Sequence, residues 1–133
     1  MITRTTKQVI VIRRDLKNIK GEKVRSGKIA AQVSHASMSF LTRQLQGGND
    51  RVNITNATRE WIESGFTKVC VSVQNEEELM NIYNQAKEKG LEVHLITDNG
   101  YTEFGGIPTK TCLAIGPAYS EEIDEITKHL SLY

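Results

Sequence analysis

The sequence predicts an α/β fold, a three-layer α/β/α sandwich around a mixed, mainly parallel four-stranded sheet. Three observations predict it. The chain has 133 residues with 38% hydrophobic and 25% charged side chains, the profile of one compact domain over residues 1–133. Val9-Ile10-Val11-Ile12 is a β-branched run of the kind buried on both faces of a central strand. Extended runs then alternate with segments of helical periodicity, in the order strand, helix, helix, strand, helix, strand, strand, helix.

The first strand covers residues 7–13. Residues 13–28 form a basic loop that holds Arg13, Arg14, Lys17, Lys20, Lys23, Arg25 and Lys28 against only Asp15 and Glu22. A helix capped by Ser26 runs to the stop signal Gly47-Gly48, and Ile29, Val33, Ala36 and Phe40 make its buried stripe. A second helix, 56–64, carries the only Trp, Trp61, and ends at Gly65. Residues 66–73 alternate as the second strand.

Residues 76–89 have Leu79, Ile82, Tyr83 and Ala86 at helical spacing, acids in the first turn, lysines in the last and Gly90 as the stop. Residues 91–96 and 110–116 read as the third and fourth strands, and 120–130 as a last helix with an acidic start. The short connection between the last two strands allows one antiparallel pair.

Composition also excludes function classes. No apolar run approaches the roughly 18 residues of a membrane span, and Met1-Ile2-Thr3-Arg4 lacks an apolar leader. A cytoplasmic location with no membrane partner is therefore expected. Cys70 and Cys112, each flanked by apolar residues, read as buried reduced thiols. The motifs G-x-S-x-G, H-E-x-x-H, C-x-x-C and G-x-G-x-x-G are absent, so activated-serine and zinc hydrolysis have no support. No metal site or cofactor is expected. Gly21 to Ile29 is not a phosphate loop, because five residues separate its glycines and Ile29 stands where a Mg²⁺-binding hydroxyl is required.

The net charge of +1 hides an asymmetry: residues 1–51 hold 11 basic and 3 acidic side chains, and residues 52–133 hold 6 and 13. One basic region on an acidic body suits a polyanion such as RNA, although an unevenly charged solvated surface would give the same count.

Two segments could carry chemistry. On the first long helix Lys28, Gln32 and His35 fall within one narrow arc beside the core stripe, placing a cation, an amide and an imidazole on one polar face. An ordinary solvated face could carry the same residues. At the carboxyl end of the third strand, Asp98-Asn99-Gly100-Tyr101-Thr102-Glu103 puts an acid and a hydroxyl in a turn, where open α/β sheets tend to bind ligands. An Asx-turn with Asp98 capping its own loop is the structural alternative.

Together with the opening strand and Arg13-Arg14-Asp15-Leu16, the stretches GKIAAQVSHAS (27–37), WIESGFTKVCVSV (61–73), DNGYTE (98–103) and TKTCLAIGPA (109–118) resemble class II peptidyl-tRNA hydrolases over nearly the whole chain. The resemblance implies cleavage of the ester joining a peptide to tRNA, with peptidyl-tRNA as partner and a homodimer left open. It implies that Lys28, Gln32, Ser34, His35, Asp98 and Thr102 lie at or near the active site. Ser34 points away from the Lys28-Gln32-His35 arc on an ideal helix. That family usually has an arginine where Tyr101 stands, and the loop from Glu103 to Lys110 is one residue longer than its common form.

The roles expected for these residues follow from the chemistry of such an ester. Lys28 would supply positive charge to a phosphate or oxyanion, and Asp98, oriented by Thr102, would activate or position water, or fix Lys28. Gln32 would hold the ester or the terminal adenosine, and His35 would donate to a ribose oxygen or buttress the helix. Arg13, Arg14, Lys17, Lys20 and Lys23 would meet the tRNA backbone. A domain that grips RNA without turnover, or a small-molecule hydrolase or transferase on the same scaffold, are the competing readings.

Overall fold

A computed structural model describes residues 4–133. Met1–Thr3, on which the expectation of no apolar leader partly falls, lie outside the described residues. The elements follow the expected order: β1 (Thr6–Arg13), α1 (Ser26–Leu45), α2 (Asn56–Glu63), β2 (Lys68–Val73), α3 (Glu76–Glu88), β3 (Val93–Asp98), β4 (Thr109–Tyr119) and α4 (Ser120–Thr127).

The sheet order is β2-β1-β4-β3. Only β1 and β2 are parallel, whereas β4 is antiparallel to both β1 and β3. The mainly parallel sheet expected from the element order is therefore corrected to a mixed, mostly antiparallel one. The reason is the position of β4. Residues 99–108 supply no crossover helix, so β4 must run back along β3. It also inserts between β3 and β1, which point the same way, and so makes two antiparallel pairs at once. Its interior position explains why Thr111 to Ala118 are all buried.

Alternation along β1 sends Val9 and Val11 to one face and Ile10 and Ile12 to the other. The first face packs with Val71, Val73, Leu113 and Ile115 under Leu79, Ile82 and Ala86 of α3 and Ile123 and Ile126 of α4. The second, with Cys112, Ala114 and Ile96, lies against Ile29, Val33 and Ala36 of α1. Trp61 joins α2 to this side, edge-on to Phe40 with 5.8 Å between ring centroids, its indole N–H donating to the carbonyl of Thr67 at 2.7 Å. No helix among the described residues is long and apolar enough to cross a membrane.

Two local expectations change. Residues 16–24 are a small hairpin in which Lys17 bridges Lys23 and the Asn18 carboxamide oxygen accepts the N–H groups of Lys20 and Glu22. Gly21 takes φ +78° at its turn, and Leu16 is buried. Ser26 is not the cap of α1: that place belongs to Arg25, whose own side chain makes no cap bond.

Candidate active site

The site begins with an irregularity in the sheet. In the β3–β4 ladder Ile96 pairs with Cys112 and Thr97 with Lys110, so Thr111 is the extra residue of a bulge. Both bulge residues reach Gln32 of α1: the Thr111 hydroxyl donates to Gln32 Oε1 at 2.6 Å, and the Cys112 thiol lies 3.4 Å from the Gln32 carbonyl oxygen. Gln32 is thereby buried at 2% exposure with its amide group facing the end of β3.

That amide meets Asp98. Gln32 Nε2 donates to Asp98 Oδ1 at 3.0 Å, and Lys28 Nζ, one turn earlier on α1, donates to the same oxygen at 2.9 Å and to Thr102 Oγ1 at 2.7 Å. The Gly100 N–H donates to Asp98 Oδ2 at 2.8 Å. The Asx-turn and the functional cluster are thus the same object, one carboxylate oxygen closing the loop and the other facing α1. Burial works against the charge on Asp98, but the bonds from Lys28, Gly100 and Gln32 and the Lys28 charge outweigh it, holding the carboxyl below its ordinary range.

Gly100 is required by the backbone. Its φ is +86°, and a Cβ there would stand 2.1 Å from the Ile107 carbonyl oxygen. Its own carbonyl accepts the N–H groups of Phe104 and Gly106, which folds 100–106 against the cluster.

Glu103, not singled out in the sequence, is 8% exposed and binds Arg25 Nε through Oε1 at 2.7 Å, with Oε2 3.4 Å from the Arg25 N–H. An acid from another loop therefore fills the helix-start role that Ser26 does not, and it favours the positive end of α1. Thr111 likewise gives no signal in the sequence, since a threonine in a strand is ordinary until the bulge turns it toward α1.

Lys28, Gln32, Asp98 and Thr102 are brought together, with Thr102 held by Lys28 rather than against Asp98. Lys28 opens on a 750 Å³ cleft shared with Arg25, Ser26, Gly27, Ala31, Thr102 and Glu103. His35 is exposed in a separate groove with Met38, Thr42, Arg43 and Thr97, and the Ser34 hydroxyl turns back to the Ala30 carbonyl. Arg13 is occupied by Asp15, Glu76 and the Lys110 carbonyl. Arg14 clasps the C-terminus, donating to the Leu132 carbonyl with its guanidinium over the Tyr133 ring. Lys17, Lys20 and Lys23 are exposed on the hairpin. Among the described residues no three His, Cys, Asp or Glu side chains are grouped to hold a metal.

The family model for peptidyl-tRNA hydrolase PTH2 matches residues 6–133. The chain is 43% identical over 126 residues to a peptidyl-tRNA hydrolase of Methanothermobacter thermautotrophicus, covering 95% of this chain and 98% of that protein. It is 40% identical over 126 residues to one of Methanopyrus kandleri, covering 95% and 97%. A solved protein of unknown function from Agrobacterium shares the fold at a TM-score of 0.55 and 16% identity, covering 96% of this chain and 97% of that one. With a matching family model across the whole sheet and its helices, and relatives aligned nearly end to end, the chain belongs to the PTH2 family of peptidyl-tRNA hydrolases.

Proposed function

We propose that the chain hydrolyses the ester of peptidyl-tRNA at the Lys28–Asp98 cluster, without a metal. The observation that carries this reading is the state of the Lys28 ammonium. Two of its three N–H donors are committed to Asp98 and Thr102, which leaves the third for a group bound in the cleft that Lys28 lines. A lysine tethered in this way is a preorganised positive charge, which is what the oxyanion of an attacked ester needs.

Water attacks the carbonyl carbon and the carbonyl oxygen becomes the oxyanion facing Lys28; collapse breaks the bond to the ribose oxygen, which takes up the proton that the attacking water gives up, relayed through solvent. Asp98 suits orientation better than proton removal, because a carboxylate held below its ordinary range is a weak base at neutral pH. It aligns Lys28 through Oδ1, and Oδ2, which accepts one N–H from Gly100, has a lone pair left for an O–H of the attacking water. Gln32 is a positioning residue, its burial and its bonds to Thr111 and Asp98 leaving it little access to an ester.

The test is turnover of a defined N-blocked aminoacyl-tRNA by the purified protein, with and without EDTA. Hydrolysis that persists in EDTA and falls at least tenfold in folded Lys28→Ala and Asp98→Asn proteins supports the reading. Parental rates in both variants overturn the site, and activity abolished by EDTA and restored by a divalent ion overturns the metal-free step.

A further inference from the structure

Beside the reactive cleft lies a second groove of 350 Å³, lined by Ile19, Lys20, Arg25, Tyr101, Thr102 and Glu103 among others. The two share Arg25, Thr102 and Glu103 as a common wall, so the groove begins at the hydroxyl that binds Lys28. Among its mostly polar lining, which includes Glu22, two large apolar side chains stand exposed to solvent. Tyr101 is 81% exposed and Ile19 77%, the two highest values among the exposed large hydrophobic side chains.

Neither residue sits on a loose tip. The Tyr101 N–H is held by the Asn99 side-chain oxygen at 3.0 Å, in the turn anchored by Asp98 and Gly100. Ile19 lies in the hairpin turn organised by Asn18, and its Cγ2 approaches Gly105 so closely that a Cβ there would stand 2.7 Å away. An aromatic ring and an aliphatic side chain are thus presented by two fixed turns, with Lys20, Glu22 and the Arg25–Glu103 ion pair beside them.

Resting on the reading above, we propose that Tyr101 and Ile19 form a stacking wall for an unpaired base at the acceptor end of the tRNA, with Lys20 on its phosphate. The occupant follows from the chemistry. A π-face stacks on any base without sequence demand, and the exposed ammonium of Lys20 beside it favours a ligand that joins a base to a phosphate over an uncharged apolar one. The shared wall sets the distance: an ester held at Lys28 leaves the nucleotides that carry it within reach of this groove.

The experiment pairs two readouts on parent, Tyr101→Ala, Tyr101→Phe and Tyr101→Trp proteins: steady-state hydrolysis of N-acetylaminoacyl-tRNA, and binding of a short single-stranded oligoribonucleotide ending in CCA. Tyr101→Ala should weaken oligonucleotide binding and raise KM by roughly five- to a hundredfold, the range of one aromatic–base stack, with kcat retained. Phe and Trp should restore both. Parental KM and parental oligonucleotide affinity in Tyr101→Ala, or failure of Phe and Trp to restore them, overturns the stacking wall. If the parent does not hydrolyse the ester yet loses oligonucleotide affinity in Tyr101→Ala, the stacking wall stands and the hydrolase reading fails. A parent that neither hydrolyses nor binds overturns both.

Discussion

The side-chain amide of Gln32 in α1 joins the end of β3 to the start of β4, both far from it in the chain, donating to Asp98 Oδ1 at 3.0 Å while its oxygen accepts from Thr111 at 2.6 Å. The bulge in β4 and the charged cluster at the end of β3 are therefore one unit. Replacing Gln32 by Leu should cost about 1–3 kcal/mol of stability, because the buried Thr111 hydroxyl loses its short partner. Gln32→Glu should place a second carboxylate against Asp98, raising the Asp98 pKa and moving the acid limb of kcat to higher pH. A pH profile unchanged in Gln32→Glu would show that the contact does not tune the carboxylate.

Asp98 is held below its ordinary range in the folded chain, so the unfolded chain binds its proton first as pH falls. The stability it contributes is present above the unfolded value near 3.8 and is lost as pH drops through the lower folded value. Asp98→Asn should therefore flatten the fall in unfolding free energy as pH drops from about 5 through the lower folded value. Urea titrations across that range compare the two proteins, and parallel curves would contradict the assignment.

Cys112 is fully buried in β4, and burial foremost pushes its thiol up to about 12, whereas Cys70 is half-buried and raised for the same reason. In native protein at pH 8 a thiol reagent should label Cys112 only at the rate of unfolding. Because the folded pKa exceeds the ordinary value of 9.0, stability should fall as pH rises from about 9 toward about 12. Cys112→Ala should lessen that fall and leave kcat near the parental value. Fast labelling, or a large loss of kcat in folded Cys112→Ala, would reveal thiol chemistry.

Reversal of Lys17, Lys20 and Lys23 to glutamate should raise KM for the tRNA ester more than it lowers kcat, since phosphate contacts exist in both ground and transition states. The slope of log affinity against log salt should drop by about three at most. Arg14→Ala, by contrast, should lower melting temperature and spare KM, because its guanidinium is spent on Leu132 and Tyr133. Parental affinity in the triple variant at moderate salt would remove the hairpin from the docking surface.

Local order was legible in the sequence because it is set by neighbours along the chain. The β-branched run of β1, the i, i+3, i+4 stripes of α1 and α3, and the acid-to-lysine polarity of α3 each express an energy confined to a few residues. The pairing of Lys28 with Gln32 on one helix face is of the same kind, one turn of α1 placing both toward a single partner. Which partner they meet is not local. The place of β4 between β1 and β3, and with it the mostly antiparallel sheet, depends on strand pairs far apart in sequence. The same holds for Glu103 at the start of α1 and for Thr111 under Gln32, whose roles exist only once packing removes water from them. Arg13 and Arg14 show the converse, since their charge is evident in the sequence but its use is decided by the carboxylates and carbonyls that the fold sets beside them.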